Sequence, residues 1–118
     1  MPAAADQQLA PHLPELLALD NAAFSRRFSK SAVKRARRRG LLRNVAVVLG
    51  NTRNRDATAA LARALEAEPE PLVRSHAAWA LGEIGGAAAR RMLERARARD
   101  NDREVKREAS AALNSISA

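Results

Sequence analysis

The sequence predicts an all-α chain, an α-solenoid of about three helix-pair repeats, and three observations carry that expectation. A segment recurs every 32 residues, and helix breakers recur in step with it. Apolar residues make up 47% of the chain, yet only 3% of residues are aromatic. Ala, Leu and Val let helices pack closely, whereas sheets draw on β-branched and aromatic side chains. At 118 residues the chain suits one domain.

The elements follow in order. Residues 1–12 are rich in Ala, Gln and Pro, lack an apolar period, and are expected to form a tail ahead of a single domain over 13–118. Leu13–Leu19 reads as a short helix, and Asp20 as the N-cap of a second one that holds Phe24 and Phe28 at i, i+4. Ser31 is the expected cap of a long helix reaching about Leu49, with Val33, Leu41, Val45, Val48 and Leu49 on one side. Gly50-Asn51 is expected to end it in a left-handed C-cap. Asp56 then caps 57–68, Pro69 breaks the chain, and Pro71 opens a helix to Ile84 that Gly85-Gly86 terminates. Helices over 87–99 and 103–116 complete the chain, separated by Asp100-Asn101-Asp102.

The recurrence is explicit. GLLRNVAVVLGNTR begins at Gly40, LVRSHAAWALGEIG at Leu72 and EVKREASAALNSIS at Glu104. Leu41, Val73 and Val105 align, as do Val45, Ala77 and Ala109, and then Leu49, Leu81 and Leu113; Gly50, Gly82 and Asn114 coincide. The intervening helices keep the phase through Ala60/Met92, Leu61/Leu93 and Ala64/Ala96. Two helices in a period of this length are the mark of an α-solenoid, in which stacked pairs bury faces that a lone repeat leaves exposed. The V-R…A-A…A-L-G helix behind a proline matches the HEAT class; TPR and ankyrin signatures are missing.

Charge is distributed unevenly. The net charge is +8. All eleven basic residues between Asn21 and Arg55 stand without a single Asp or Glu: Arg26, Arg27, Lys30, Lys34, Arg35, Arg37, Arg38, Arg39, Arg43, Arg53 and Arg55. On a helix Arg35, Arg38 and Arg39 share a face, and Arg37 falls nearer the apolar stripe. Like charges at i, i+4 weaken a helix, so the run is expected to meet an anion. Arginine in place of lysine favours bidentate phosphate contacts. A solvated basic helix is the plain alternative. An acidic membrane surface is a third, although the Trp/Phe/Leu face of interfacial helices is lacking. Scarce aromatics argue for a folded RNA stem over a single-strand stacking platform. The candidate RNA-binding set is Arg27, Lys30, Lys34, Arg35, Arg37, Arg38, Arg39, Arg43, Asn44, Asn51, Arg74 and His76. Asn51 is equally a helix cap. Trp79 fits inter-repeat packing better than recognition.

The same residues exclude other functions. With no cysteine there is no disulfide, thiolate metal site or cysteine nucleophile. No Ser/His/Asp set, phosphate loop or metal-ligand cluster is present, and a binding protein without catalysis of its own is expected. The N-terminus lacks the pattern of a signal peptide and no apolar run approaches the ~20 residues of a membrane span. A cytoplasmic location without membrane contact is the expectation.

Residues 13–51, LPELLALDNAAFSRRFSKSAVKRARRRGLLRNVAVVLGN, together with LVRSHAAWALG from Leu72, resemble the C-terminal HEAT-like region of epoxyqueuosine reductase, the tRNA-modifying enzyme of queuosine biosynthesis. Lys30 stands where that family has Gly, and Ala32 where Pro is common. The resemblance implies a module that binds the tRNA anticodon stem-loop. It implies that Lys34, Arg35, Arg43, Asn44 and Asn51 face RNA or line the substrate cavity. It further implies that cobalamin and the [4Fe–4S] clusters belong to upstream domains outside this sequence, so that none is held here. The chain is then either the excised C-terminal module, or a split subunit or stand-alone paralogue served by a catalytic domain or subunit in trans. A protein–protein scaffold or a regulatory partner subunit is the rival reading, because fold alone does not fix the ligand.

Overall fold

Runs of Ala and Leu punctuated by Pro, Gly and Asp produce helices, and no strand occurs among the described residues. The structure, a computed structural model, describes residues 13–18 and 32–117. A helical turn at 13–16 leads into Leu17, which is buried. The expected cap at Asp20, the Phe24/Phe28 pair and the Ser31 cap lie outside the described residues.

Helix α1 spans Ala32–Asn51, α2 Thr58–Ala67, α3 Pro71–Ile84, α4 Ala87–Arg99 and α5 Arg103–Ser117. The punctuation acts largely as the sequence implies. Pro71 occupies the first turn of α3, where its missing N–H costs nothing. Gly85 and Gly86 adopt φ of 75° and 96°, a region that L side chains enter only under strain. Asp102 caps α5 by accepting the Val105 N–H at 3.1 Å.

Two expected stops are corrected. Gly50 lies inside α1, which runs on to Asn51; the left-handed residue is Arg53, at φ 49°. Asn54, and not Asp56, makes the next cap: its Oδ1 accepts the Asp56 N–H at 3.1 Å and opens a 3-10 turn, Arg55–Ala57, ahead of α2.

Helices α1, α3 and α5 form one row, with α3 packed on both neighbours, and α2 and α4 lie against the same row. The result is a slab about 16 Å thick. The period in the sequence becomes a period in the packing. A Cβ placed on Gly50 would stand 3.0 Å from the Ala80 Cα, and one on Gly82 would stand 3.0 Å from the Ala112 Cα. Both glycines let adjacent helices of the row touch backbone to backbone, and Ala80 and Ala112 are themselves 32 residues apart. Val45, Ala77 and Ala109 are buried, as are Leu49, Leu81 and Leu113.

The register of α1 departs from expectation. Its buried side is Leu42, Val45, Ala46 and Leu49, joined by Lys34 and Arg38, while Val33, Leu41 and Val48 are exposed. Two apolar stripes, one residue out of phase, run along this helix. The one that includes charged residues faces inward.

Candidate nucleic-acid interface

The register of α1 sorts the basic run into two populations. Arg35, Arg37 and Arg39 are exposed, as is Asn44, and Arg43 is half-buried. Arg35, Arg39 and Arg43 follow one another at one-turn intervals and form a guanidinium ladder along the helix. Arg43 leans on its neighbour, Nη2 donating to Asn44 Oδ1 at 3.3 Å. Arg39 reaches Glu70 Oε1 at 3.4 Å, an open, long pair that contributes little and leaves donors free for an anion. Arg53 and Arg55 add exposed charge beyond the end of α1. Arg27 and Lys30 lie outside the described residues.

Arg38 is a correction to the candidate set. Its side chain and that of Glu68 are each 2% exposed. Nη1 donates to Glu68 Oε2 at 3.2 Å and Nη2 donates to Glu68 Oε1. The expectation had Arg37 near the apolar stripe and Arg38 outside; the structure reverses them, because α1 turns its Leu42 side inward and Glu68 waits there.

Arg74 is the second correction. Nε and Nη2 hold Asp100 at 3.0 and 3.1 Å, Nη2 also reaches Asn101 Oδ1, and Nη1 donates to the carbonyls of Glu68 and Pro69. All five donors of a guanidinium are thereby occupied, leaving none for a phosphate. These two arginines share one device. Glu68 and Asp100 stand 32 residues apart, each in the loop before a row helix. Each accepts a guanidinium from the preceding row helix and the amide two residues ahead, Glu70 N at 2.7 Å and Asp102 N at 2.9 Å. Sequence reasoning passed over this clamp, although the spacing of the two acids carried its signal.

Lys34 is buried as well. Burial, and then the neighbouring Arg37 charge, lower its ammonium below the usual lysine value. It is therefore a poor first contact for RNA.

The remaining candidates meet across the row. Val47 and Asn51 of α1, Ser75, His76 and Trp79 of α3, and Glu108 of α5 line a cleft of about 360 Å³. His76 Nδ1 lies 2.9 Å from the Leu72 carbonyl. Trp79 does pack between repeats, since a Cβ on Gly50 would meet its ring at 2.5 Å, but it also walls this cleft. His76 and Glu108, 32 residues apart in the sequence, line the same space.

A family model described as HEAT repeats matches residues 30–114. The chain belongs to the HEAT-repeat family. Its HEAT stack is 33% identical over 104 residues to an epoxyqueuosine reductase of Listeria monocytogenes, covering 88% of this chain and 27% of that protein. It is 38% identical over 73 residues to one of Xanthomonas campestris, covering 62% and 21%. Among solved structures, the Bacillus subtilis epoxyqueuosine reductase superimposes with a TM-score of 0.76 at 29% identity, over 88% of this chain and 28% of that one. An epoxyqueuosine reductase with a tRNA-Tyr epoxyqueuosine-modified stem loop gives a TM-score of 0.77 at 29% identity, over 90% and 28%. The HEAT chain thus spans about a quarter of the length of the relatives it matches. No helix among its described residues is long and apolar enough to cross a membrane.

Proposed function

We propose that this HEAT stack is an RNA-binding module that grips the phosphates of a tRNA anticodon stem-loop, as part of an epoxyqueuosine-reductase-like tRNA-modification system. The observation that carries the reading is the ladder of exposed Arg35 and Arg39 and half-buried Arg43 along one face of α1, with Arg37 exposed on another side of the same helix. No carboxylate within the chain neutralises it beyond the long Arg39–Glu70 contact among the described residues. Planar guanidinium forks at one-turn intervals suit a row of phosphates, and a neighbouring fold has been solved with a tRNA stem loop.

The chain's own residues do not fit the cofactors of the parent chemistry. Iron–sulfur clusters need thiolates, and the sequence contains no cysteine. Among the described residues no three His, Asp or Glu side chains converge as metal ligands. On this reading the module contributes binding and orientation, and the reductive step belongs to a catalytic domain of the same or another polypeptide. The exposed Val33, Leu41 and Val48 on α1 support such a protein contact, which is also the second reading: a scaffold that docks a protein and ignores RNA.

A gel-shift titration with an anticodon stem-loop at two salt concentrations tests the proposal. Affinity is expected to fall with salt at a slope of about −0.7 to −0.9 per phosphate contacted. Arg35→Glu/Arg37→Glu/Arg39→Glu abolishes binding and leaves the helical circular dichroism intact. A wild-type chain that retains no RNA at low salt, and binds a protein stoichiometrically, overturns the RNA reading in favour of the scaffold.

A further inference from the structure

We infer that the cleft on the row face, walled by Trp79, His76 and Glu108, takes one unpaired guanine from the RNA loop; this rests on the RNA reading above and assigns the base that the phosphate grip presents. Its volume of about 360 Å³ falls in the range of small-molecule sites. Its position fits the ladder, because Val47 and Asn51 in its wall continue α1 one and two turns beyond Arg43. A strand held by phosphates at Arg39 and Arg43 passes directly over it.

The chemistry of the wall selects the base. The Ser75 Oγ–H donates to the Leu72 carbonyl at 2.9 Å, which leaves the oxygen's lone pairs. His76 Nδ1 stands 2.9 Å from that same carbonyl, and the ring tautomer with its proton on Nδ1 leaves Nε2 as an acceptor. Glu108 supplies a carboxylate. The cleft is thus rich in acceptors, and guanine is the base whose Watson–Crick edge offers adjacent donors, N1–H and the N2 amine, to a carboxylate fork. Cytosine and adenine present one amine beside a ring acceptor, and uracil one imino group between two carbonyls. Unpaired RNA bases are recognised in this way, stacked on an aromatic face and read along that edge.

Trp79 also provides the probe. It is the single tryptophan and the chain has no tyrosine, so its emission reports the cleft alone. Fluorescein-labelled hairpins that differ only in one loop position (guanine, inosine, adenine or uracil) are titrated while anisotropy and Trp79 emission are both followed. The guanine hairpin is expected to quench Trp79 and to bind about tenfold more tightly than the uracil one. Inosine, lacking the N2 amine, falls between them. Glu108→Gln, on a half-exposed side chain, removes the preference for guanine and keeps the salt slope. Arg35→Glu/Arg39→Glu removes anisotropy change and quenching together. Binding by anisotropy with no quenching and equal affinity for all four hairpins overturns the guanine site while the phosphate grip stands. No anisotropy change with any hairpin overturns both. Quenching by arginine amide but not by guanosine monophosphate reassigns the cleft to a protein's cationic side chain, and likewise overturns it.

Discussion

Breaking the Arg38–Glu68 pair from one side is expected to be among the most damaging single changes in the molecule. Both side chains are 2% exposed, so Glu68→Leu strands a guanidinium in the interior and also removes the acceptor of the Glu70 N–H. An uncompensated buried charge costs about 3–5 kcal/mol. The lost acceptor adds about 1 kcal/mol. Against a total stability of about 5–15 kcal/mol for a domain, that is a large share. Arg38→Met costs a comparable amount, because the carboxylate is then the orphan. The double variant Arg38→Met/Glu68→Leu buries no charge and is expected to lie within about 1–2 kcal/mol of wild type. Urea denaturation followed by far-ultraviolet circular dichroism measures all four chains. With a slope near 1.5 kcal/mol per molar urea, each single substitution lowers the midpoint by about 2–4 M. Single costs below about 1 kcal/mol, or costs that simply add in the double variant, refute the coupling drawn from this geometry. The same Arg38→Met chain should keep the wild-type salt slope for RNA, since Arg38 offers no exposed donor.

Other expectations follow from the same packing. Arg39→Ala should change stability by less than about 0.5 kcal/mol, as an exposed long pair permits, yet reduce the RNA salt slope by about one contact. Gly82→Ala drives a methyl to 2.6 Å from the Ala112 Cβ and 3.0 Å from its Cα; backbone cannot step aside locally, and a loss of about 1–3 kcal/mol is expected in the urea melt. Gly85→Ala, at φ 75°, is expected to cost about 1–3 kcal/mol through backbone strain, read as a lower melting temperature. Lys34 supplies a pH dependence. Folding lowers its pKa from 10.5, so between the lowered value and 10.5 the unfolded chain binds more protons, and stability rises with pH across that window. Lys34→Met should flatten that rise in melts at alkaline pH; an unchanged rise refutes the assignment to Lys34.

Much of the fold was written locally. Helices over 71–84, 87–99 and 103–117 begin and end where Pro71, Gly85-Gly86 and the Asp100–Asp102 loop require, because caps and breakers act through the few residues beside them. The 32-residue recurrence fixed the all-helical solenoid, since equal spacing of apolar and small residues commits each row helix to the same contact with the next. The asymmetry of charge was also plain in the sequence.

Which arginines face outward was settled only by the packing. Along α1 the set Val33, Arg37, Leu41, Val48 and the set Lys34, Arg38, Leu42, Ala46, Leu49 both satisfy helical spacing, and nothing within the helix chooses between them. The choice is made by Glu68, thirty residues on, because a guanidinium enters an apolar interior only where a carboxylate meets it. That partner becomes a neighbour only once the next repeat stacks. The cleft of Asn51, His76, Trp79 and Glu108 arises in the same way, from three helices that no local signal brings together. Periodicity, capping and net charge are properties of the chain, whereas burial and pairing across repeats are properties of the stack.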